Sequence, residues 1–544
     1  MFKRRHRLLF GALGIGVCVY VVLLLLLLSA EAASADSGIH SMADAFWYSI
    51  VTLSTVGYGD ITPVTHMGRI VGMIFLILSM GIYLTLIGTA VSVFTSEAIP
   101  LIYLGLNRKR DWYYFADFGS ESNTLARDII REDEDAIIIF GEKRSEKSEE
   151  PDYPCIFLNT SPKFIVEKKR GQGRRVRVFL MQENDIGRNP HAVDLHSLPV
   201  VVYARTQSGQ DSLPGNINFF HTYDCCARHF WRDHPLLLQE QQIVLIGFGN
   251  YGRALLKRAI MMNVLCSSQH VTYHIFGDSV NFQQVHSHLK DVFSVNQESD
   301  TRDSLIFHEN SWAESHEVLE RADRVIVCDD SMDEGWHIYW QLKRYYVLTG
   351  TLYLRTSRKA AGVAYFGTDE QIFTAREILR TTLNEAAIAV NELYRKTAKG
   401  KTLEWRELDD FLKESKIAQA DHVLMKMRLL LEDNSINAIS PELCAKAYWR
   451  YLQLCRHPLA LEEYRRLEHL RWLRFYAYNN WHYGRERDVL RKHHPMYVPY
   501  EQLTEPQKRE KDNAWHLLDS LSGELQFIAR GMKEKYLIED LKDE

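Results

Sequence analysis

The chain has 544 residues, more than one hydrophobic core usually organises, so a prior of roughly 150 residues per domain predicts about three or four domains. Its hydrophobic content of 46% and charged content of 25% are typical of folded protein, and a net charge of −5 provides no field that would recruit nucleic acid. The eight cysteines show neither CxxC nor Cys/His metal-ligand spacing, which favours reduced thiols in a cytosolic C-terminal part.

Two long apolar segments lie in the first hundred residues, at Leu8–Leu28 and Ile70–Phe94. Each is long enough to cross a hydrocarbon core, which needs roughly 20 residues. Basic residues precede the first segment and Asn107–Arg110 follows the second, so both termini are expected in the cytoplasm. The pattern predicts a multi-pass protein of the cell inner membrane, in contact with the lipid bilayer. A cleaved signal peptide is the alternative for the first segment, although its apolar core usually spans only about 7–15 residues.

A short amphipathic helix and a glycine-containing loop are predicted between the two apolar segments. Residues Ala43–Leu53 form the helix and lead into the hexapeptide TVGYGD. Dehydrating K⁺ requires rings of oxygens, and glycines allow successive backbone carbonyls to face one axis. The predicted selectivity filter comprises Thr55, Val56, Gly57, Tyr58, Gly59 and Asp60, with potassium ions at Thr55, Val56, Gly57 and Tyr58.

The hexapeptide resembles the signature of K⁺ channels, and the two-span layout resembles the pore of calcium-gated prokaryotic K⁺ channels. The resemblance implies a homotetramer, because each chain carries one filter strand and four must surround the ion path. In that family a glycine midway along the inner helix lets the helix bend. Gly81 lies near that place, although Ser79 aligns with the usual hinge position. Close helix packing at small residues is the other explanation for Gly81.

After Arg110 the pattern changes to short β-rich segments separated by helical ones. The strands are predicted at Tyr113–Phe115, Ala136–Phe140, Val176–Leu180 and Val200–Tyr203, with a helix at Ser122–Arg131. This alternation predicts a parallel sheet covered by helices. The turn after the first strand has a single glycine, Gly119, and a phosphate there would meet the carboxylate of Glu121. This first unit is therefore predicted to be structural.

A second alternating series begins at Gln242 with the motif GFGNYG, which follows a strand and opens a helix. In this context the motif is typical of nucleotide or dinucleotide binding, because a helix N-terminus favours an anion and glycines let a phosphate approach the backbone. Asp278 closes the second strand and is the candidate acceptor for a ribose hydroxyl. The predicted binding residues are Gly247, Gly249, Asn250, Tyr251, Gly252 and Asp278. A retained fold with an empty site is the alternative.

Tandem Rossmann-type units behind a two-span pore resemble RCK domains, the regulators of K⁺ conductance. In that family two such units per subunit form an eight-membered gating ring beneath the tetrameric pore. The resemblance implies a small nucleotide-like ligand, with a nucleotide or NAD(H) as the candidate cofactor and its identity left open.

Residues 458–518 carry the ordered motifs LEHLRW, WHYG, KHHP and VPYEQL. They resemble the RyR domain, a small helical repeat named for ryanodine receptors, with Asn480 where a glycine often precedes the tryptophan. Aromatic rings there could stack a base and cations could hold a phosphate, the alternative being core aromatics and a solvated charged face. The candidate ligand residues are His469, Trp472, Trp481, Tyr483, Gly484, Lys492, His494, Pro495 and Tyr500. A long helical stretch is predicted over Phe373–Lys396, and Glu404–Asp433 has helical spacing.

The chain is therefore predicted to be multi-domain, with four regions. They are an α-helical two-span membrane pore (1–100), a degenerate α/β Rossmann-like RCK domain (101–235), a second RCK domain (236–400), and a mainly α-helical region (401–544) that contains the RyR-like domain at 440–530. The predicted function is a ligand-gated potassium-selective channel without enzymatic activity.

Two other functions are compatible with parts of the sequence. One is a nucleotide- or NAD-binding regulatory component of a potassium transport system, which the covalently attached filter argues against. The other is a membrane-tethered NAD-dependent oxidoreductase, which would need an ordered acid/base pair near GFGNYG, and the sequence shows none there.

Overall fold

The computed structural model describes residues 2–54, 56–142, 151–169, 176–182, 200–206, 217–397 and 403–523. The chain divides into two compact units, Met1–Arg108 and Lys109–Glu544. Among the residues that the structure describes, no helix combines the length and the hydropathy that crossing a membrane requires.

The N-terminal unit is helical throughout its described secondary structure. Its helices are α1 (Phe2–Glu31), α2 (Met42–Leu53), α3 (His66–Val93) and α4 (Ile99–Leu106), with a π-helical turn at Phe94–Ala98. Helix α2 begins with a capping box, in which Ser41 Oγ accepts from the backbone N–H of Asp44 and the Asp44 carboxylate accepts from the N–H of Ser41. Glu31 accepts hydrogen bonds from the backbone N–H groups of Val64 and Thr65, both at 3.0 Å, and so ties the end of α1 to the start of α3.

The C-terminal unit begins with a parallel sheet of six described strands. The strands are β1 (Trp112–Phe115), β2 (Ile137–Phe140), β3 (Cys155–Phe157), β4 (Val176–Leu180), β5 (Val201–Arg205) and β6 (Ile217–Phe220), in the order β3-β2-β1-β4-β5-β6. The associated helices are α5 (Ser120–Glu132), α6 (Pro162–Lys169) and α7 (Thr222–Asp233). This is the strand order of the Rossmann fold, so the predicted parallel sheet is confirmed. Strands β3 and β6 were not predicted.

A second parallel sheet follows. Its strands are β7 (Gln242–Ile246), β8 (Thr272–Phe276), β9 (Ser294–Val295), β10 (Ser304–His308), β11 (Arg324–Val327), β12 (Thr351–Arg355) and β13 (Ala364–Phe366), in the order β13-β12-β11-β7-β8-β10-β9. The associated helices are α8 (Asn250–Met262), α9 (Val280–Val285), α10 (His316–Arg321) and α11 (Met332–Tyr345). Strand β7 lies between β8 and β11, where the order reverses, and such switch points form a crevice at the carboxyl ends of the strands.

Both faces of the second sheet are covered. Ile243 and Leu245 of β7 belong to one hydrophobic cluster, and Val244 and Ile246 belong to another on the opposite face. This alternation explains why the strand is apolar at successive positions, as expected for a parallel sheet with helices on both sides.

The remainder of the chain is mainly helical. Its helices are α12 (Asp369–Ile372), α13 (Ala375–Leu379), α14 (Thr381–Thr397), α15 (Asp410–Asp421), α16 (Val423–Leu431), α17 (Pro441–Leu454), α18 (Pro458–Tyr478), α19 (Glu505–Glu510) and α20 (Asn513–Leu521). Two short parallel strands, β14 (His482–Tyr483) and β15 (His493–His494), pair with each other.

The prediction of a long helical stretch over Phe373–Lys396 is confirmed from Ala375 onward, with one interruption. Thr374 is extended and caps α13 by accepting from the N–H of Glu377. Arg380 then takes a left-handed φ of +52° between α13 and α14. A similar break separates α15 from α16 at His422, within the predicted stretch Glu404–Asp433.

Candidate functional site

The loop after α2 has backbone geometry suited to a cation filter. Gly57 and Gly59 take left-handed φ values of +59° and +72°. A Cβ at either position would meet no atom of the described residues within 4 Å, so the backbone conformation, and not a lack of space, favours glycine. The N–H groups of Val56 and Gly57 donate to the carbonyl of Val51 at 3.1 and 3.2 Å, which fixes the loop to the end of α2. Thr55, the first predicted filter residue, lies outside the described residues.

Trp47 of α2 supports the outer part of this loop. Its Nε1 donates to Asp60 Oδ2 at 2.9 Å. Its ring stacks on Tyr58 with a centroid separation of 6.3 Å and an interplanar angle of 4°. The assignments of potassium ions to Val56, Gly57 and Tyr58 stay predictions.

Gly81 lies within the continuous helix α3. Its carbonyl accepts a hydrogen bond from Thr85 Oγ1 at 2.8 Å, and a Cβ at position 81 would meet no described atom of this chain within 4 Å. Neither observation distinguishes a hinge from a packing role, and both explanations stay predictions.

The GFGNYG turn between β7 and α8 needs glycine at two positions for steric reasons. Gly247 has a φ of +94°, and a Cβ there would lie 2.6 Å from the backbone nitrogen of Asp329. A Cβ at Gly252 would lie 2.2 Å from the carbonyl oxygen of Gly247. Glycine at these two positions therefore permits the tight turn and the close contact between α8 and β7.

The N-terminus of α8 already holds an anion that belongs to the protein. Asp330, which follows β11, accepts hydrogen bonds from the backbone N–H groups of Asn250 at 2.9 Å and Tyr251 at 3.1 Å. A Cβ at Gly249 would lie 2.5 Å from the Asp330 carboxyl carbon. The carboxylate thus occupies the space that the sequence pattern assigns to a phosphate. Sequence reasoning missed this residue, although two consecutive aspartates directly after the apolar residues 325–328 were the available signal.

Arg355 of β12 holds the loop that carries this carboxylate. Its Nε donates to the carbonyl of Asp329 at 2.8 Å and its Nη2 donates to the carbonyl of Asp330 at 2.9 Å. Its guanidinium also lies 3.9 Å from the ring centroid of Tyr251, within the range of a cation–π contact. Burial raises the pKa of Tyr251 to about 12, so its ring is neutral near pH 7. Tyr251 is therefore engaged by the protein itself.

A cleft of about 340 Å³ opens at the carboxyl ends of the central strands of the second sheet. Gly247 lines it, together with the carboxylate residues Glu309, Asp329 and Glu334. The other predicted nucleotide-binding residues do not line it; they are Gly249, Asn250, Tyr251, Gly252 and Asp278. Their role in binding stays a prediction.

Asp278 is exposed at the end of β8. Its Oδ1 accepts from the backbone N–H of Val280 at 3.3 Å, and its carbonyl accepts from Arg253 Nη2 at 3.3 Å. The carboxylate therefore takes part in the local turn.

The corresponding turn of the first unit is closed by its own side chains. Glu121 Oε2 accepts from Arg205 Nη1 at 2.5 Å. Asp117 Oδ2 accepts from Ser122 Oγ at 3.0 Å, and burial raises the pKa of Asp117. That the first unit is structural stays a prediction.

Several of the candidate ligand residues in the C-terminal region form an aromatic cluster around Tyr476. The ring centroids of Trp472, Trp481 and His494 lie 4.0, 5.1 and 5.4 Å from that of Tyr476. Trp481 is 2% exposed and stacks on Phe411 at 5.0 Å. Burial lowers the pKa of His494 to about 4. The cluster is packed as part of the hydrophobic core.

Three further candidates shape the segment between β14 and β15. A Cβ at Gly484 would lie 2.5 Å from the Cβ of His493, so the two strands approach closely at this position. Lys492 is exposed with a left-handed φ of +55°, and its Nζ donates to the carbonyl of Asn479 at 3.0 Å. Pro495 follows β15 and is half-buried.

The last three candidates line a second and larger cleft, of about 790 Å³. They are His469, Tyr483 and Tyr500. His469 is 1% exposed, its Nε2 donates to the carbonyl of Val498 at 2.7 Å, and burial lowers its pKa to about 3. The structure therefore divides the nine candidates into a cleft group of three and a group of six that does not line this cleft.

The N-terminal residues are similar to known ion channels. Residues 9–96 match the family model described as "Ion channel". The chain is 35% identical over 97 residues to a voltage-gated potassium channel of Aeropyrum pernix, covering 17% of this chain and 30% of that protein. It is 56% identical over 43 residues to potassium voltage-gated channel subfamily A member 6 of Mus musculus, covering 8% of each. The chain thus matches less than a third of the length of these relatives.

Solved structures described as "GsuK Channel" and "Crystal structure of the GsuK bound to ADP" align with 67% of this chain and with 95% and 96% of those chains. Their sequence identities are 14% and 13%, and their TM-scores are 0.32 and 0.30. A structure described as "GsuK channel bound to NAD" aligns with 69% of this chain and 83% of that chain at 11% identity and a TM-score of 0.30. These TM-scores are too low to support an inference about this chain.

Proposed function

We propose that this chain is one subunit of a potassium-selective ion channel with residues 55–60 as its selectivity filter. The observation that carries the proposal is the pair of left-handed glycines, Gly57 and Gly59, directly after α2. Such positions let successive carbonyls turn toward one axis, where rings of carbonyl oxygens replace the hydration shell of K⁺. The similarity of residues 9–96 to ion channels supports the proposal independently.

The channel would be a homotetramer in the cell inner membrane. One chain supplies one filter strand, so four copies are needed to surround the ion path. In the single chain Val56 and Tyr58 are 54% and 69% exposed, and neighbouring copies would cover these side chains. The apolar segments Leu8–Leu28 and Ile70–Phe94 would contain the two spans, with both termini in the cytoplasm and Gly81 as the candidate hinge.

The two Rossmann-type units would regulate the opening of this pore in the manner of RCK domains. The second unit would bind a nucleotide or NAD(H) at the carboxyl ends of its strands, after the ligand displaces the Asp330 carboxylate. The first unit would be structural, and residues 440–530 would form an RyR-like sensor. A ligand shifts gating only through different affinities for the open and closed arrangements, and the change would reach α3 through Glu97–Arg110.

The test is K⁺ flux from liposomes that contain the full chain, with Gly57→Ala compared with Gly105→Ala. A Cβ has open space at both positions, but only Gly57 has a left-handed φ. Alanine at position 57 therefore costs roughly 1–2 kcal/mol per chain, multiplied over four filter strands. We expect flux to be lost in Gly57→Ala and retained in Gly105→Ala.

Equal flux in the two variants would contradict the filter assignment. A chain that folds and inserts but conducts no K⁺ in any variant would favour the alternative, a regulatory component of a separate potassium transport system. Replacing K⁺ by Na⁺ in the same liposomes separates selective conduction from a leak, since a leak passes both ions.

A further inference from the structure

The cleft of about 790 Å³ lies at the opposite edge of the second sheet from the GFGNYG turn. Its Rossmann-side lining comes from three loops, residues 266–270, 291–292 and 301–303, which directly precede β8, β9 and β10. The amino ends of parallel strands share one edge, whereas nucleotide sites of this fold lie at the carboxyl edge. The other wall is formed by α18 and residues 482–501. This cleft is therefore separate from the fingerprint site.

Direct contacts fix the two walls relative to each other. Glu463 of α18 accepts from the backbone N–H and from Oγ of Ser267, at 2.9 and 2.8 Å. Arg474 donates to Asp303 Oδ2 at 2.7 Å and to the carbonyl of Asn263 at 3.1 Å, and its side chain is buried. These bonds hold helix α18 against the sheet edge, so the cleft is largely formed before any ligand arrives.

The carboxylates that line the cleft already have cationic or hydroxyl partners. Asp303 pairs with Arg474, and Glu501 pairs with Arg466. Asp291 accepts from the hydroxyl of Tyr497 at 3.3 Å.

Arg302 is different. It is exposed in the cleft lining and makes no ion pair with any residue that the structure describes. Of the three guanidinium groups in the lining, that of Arg302 is therefore the one left without an ion pair, in a cleft whose volume suits a ligand of nucleotide size. A phosphate is the anion that a guanidinium binds best, through two parallel N–H donors.

The opposite wall offers an aromatic face. Tyr483 is 56% exposed and lines the cleft, so its ring is accessible for stacking. His469 lies behind this wall and is 1% exposed, with Nε2 donating to the carbonyl of Val498 at 2.7 Å, so it fixes the segment that carries Val498 and Tyr500.

We infer that this cleft binds a phosphorylated heteroaromatic ligand of nucleotide size, bridging the second Rossmann unit and the RyR-like region. Arg302 would contact the phosphate and Tyr483 would stack on the ring. Such a ligand contacts both walls at once, so its binding energy depends on how α18 sits against the sheet. That it acts on gating rests on the proposed channel function, whereas binding does not.

The test is equilibrium binding of ADP, NAD⁺ and cyclic di-AMP to the full chain in detergent, by titration calorimetry. Arg302→Glu alters the Rossmann wall and Tyr483→Ala alters the other wall. We expect each variant to weaken the tightest of the three probes by about tenfold or more. The matched controls are Arg321→Glu and Tyr345→Ala, exposed residues of the same types that lie outside the cleft lining, and they are expected to bind as the parent does.

Three outcomes would overturn the inference. One is that none of the three probes binds the folded parent chain, and another is that both cleft variants keep the parent's affinity. The third is that Gly249→Asp abolishes binding while both cleft variants leave it unchanged, which would assign the ligand to the carboxyl edge. Repeating the titration in the Gly57→Ala background separates this result from channel function, because binding should persist there even if K⁺ flux is lost.

Discussion

Asp330 Oδ2 accepts a hydrogen bond from the backbone N–H of Asn250 at 2.9 Å, at the N-terminus of the helix that follows the GFGNYG turn. The two residues are 80 positions apart in the chain and meet because β7 and β11 are neighbours in the sheet. The first turn of a helix stabilises a negative charge, and here the protein supplies that charge itself. Any phosphate at this position must therefore compete with a tethered carboxylate.

We expect Asp330→Asn to strengthen binding of ADP or NAD⁺ at the GFGNYG turn by about tenfold, because the competing charge is removed. The amide oxygen can still accept from Asn250, so the turn should keep its conformation. The measurement is the dissociation constant of each nucleotide for the full chain.

Asp333→Asn is the matched control. Asp333 is exposed in the first turn of α11, and this substitution changes the net charge by the same amount. Its affinity should equal that of the parent. If Asp330→Asn binds no more tightly than Asp333→Asn, the carboxylate does not compete with a ligand at this turn.

The contact between Trp47 and Asp60 is expected to stabilise the conducting state of the filter over time. Trp47→Phe keeps an aromatic ring opposite Tyr58 but removes the Nε1–H that donates to Asp60 at 2.9 Å. A hydrogen bond to a charged group is stronger than one between neutral groups, so its loss leaves the end of the loop less firmly held to α2. We expect K⁺ flux from liposomes to start normally and then decline faster than in the parent chain.

Phe46→Leu is the control for Trp47→Phe, because Phe46 is a neighbouring exposed aromatic residue of the same helix. Its flux should decline at the parent's rate. Identical time courses for the parent and Trp47→Phe would show that the hydrogen bond does not stabilise the conducting filter.

A buried ion triad joins α16 to α18. Glu468 Oε2 lies 2.9 Å from Lys426 Nζ, and its Oε1 accepts from Arg471 Nη2 at 2.7 Å, with all three side chains buried. Burial opposes ionisation of Glu468, but the charges of Arg471 and Lys426 outweigh it and lower the pKa of its carboxyl. Glu468→Ala leaves two buried cations unpaired, so we expect the free energy of unfolding to fall by about 3–5 kcal/mol.

Denaturant or thermal unfolding of the full chain in detergent measures this change. Glu462→Ala, on the same helix, removes a partly exposed pair with Lys508 at 3.6 Å and an interaction with the Tyr500 hydroxyl, and should cost much less than Glu468→Ala. Equal destabilisation by the two variants would show that the triad is not the feature that stabilises the docking of α18.

The glycines of the two candidate sites could be predicted because each requirement is local. Gly57 and Gly247 adopt backbone conformations that favour glycine, and the short motifs TVGYGD and GFGNYG contain glycine at these positions. The parallel sheets were likewise predictable from alternating apolar segments and helices. The helix break at Arg380 could not be predicted, because a left-handed φ at an arginine does not change the spacing of the apolar residues.

The side chains that surround each candidate site could not be predicted, because contacts between segments far apart in the sequence bring them there. Asp330 reaches the GFGNYG turn only through strand pairing, and the cleft around Arg302 exists only because α18 docks on loops about 170 to 210 residues earlier in the chain. Trp481 and Tyr483 are two positions apart in one motif, yet one is core and the other is exposed. Spacing alone could not separate them, because the motif names residue types and tertiary packing decides their burial.

His469 should make the stability of the C-terminal unit depend on pH. Its side chain is 1% exposed, and burial, assisted by the charge of Lys511, lowers its pKa from 6.5 to about 3 in the folded chain. Between about pH 6.5 and pH 3, His469 is therefore protonated in the unfolded chain and neutral in the folded chain. Its contribution to the free energy of unfolding is complete above pH 6.5 and is lost as the pH drops toward 3. At pH 5 the loss from this residue is about 2 kcal/mol relative to pH 8.

The control is His469→Gln, which can still donate to Val498 but does not titrate. It is needed because other buried histidines, such as His494, also make the stability depend on pH. The melting temperature of the variant should fall less between pH 8 and pH 5 than that of the parent, and parallel pH profiles would contradict a neutral, buried His469.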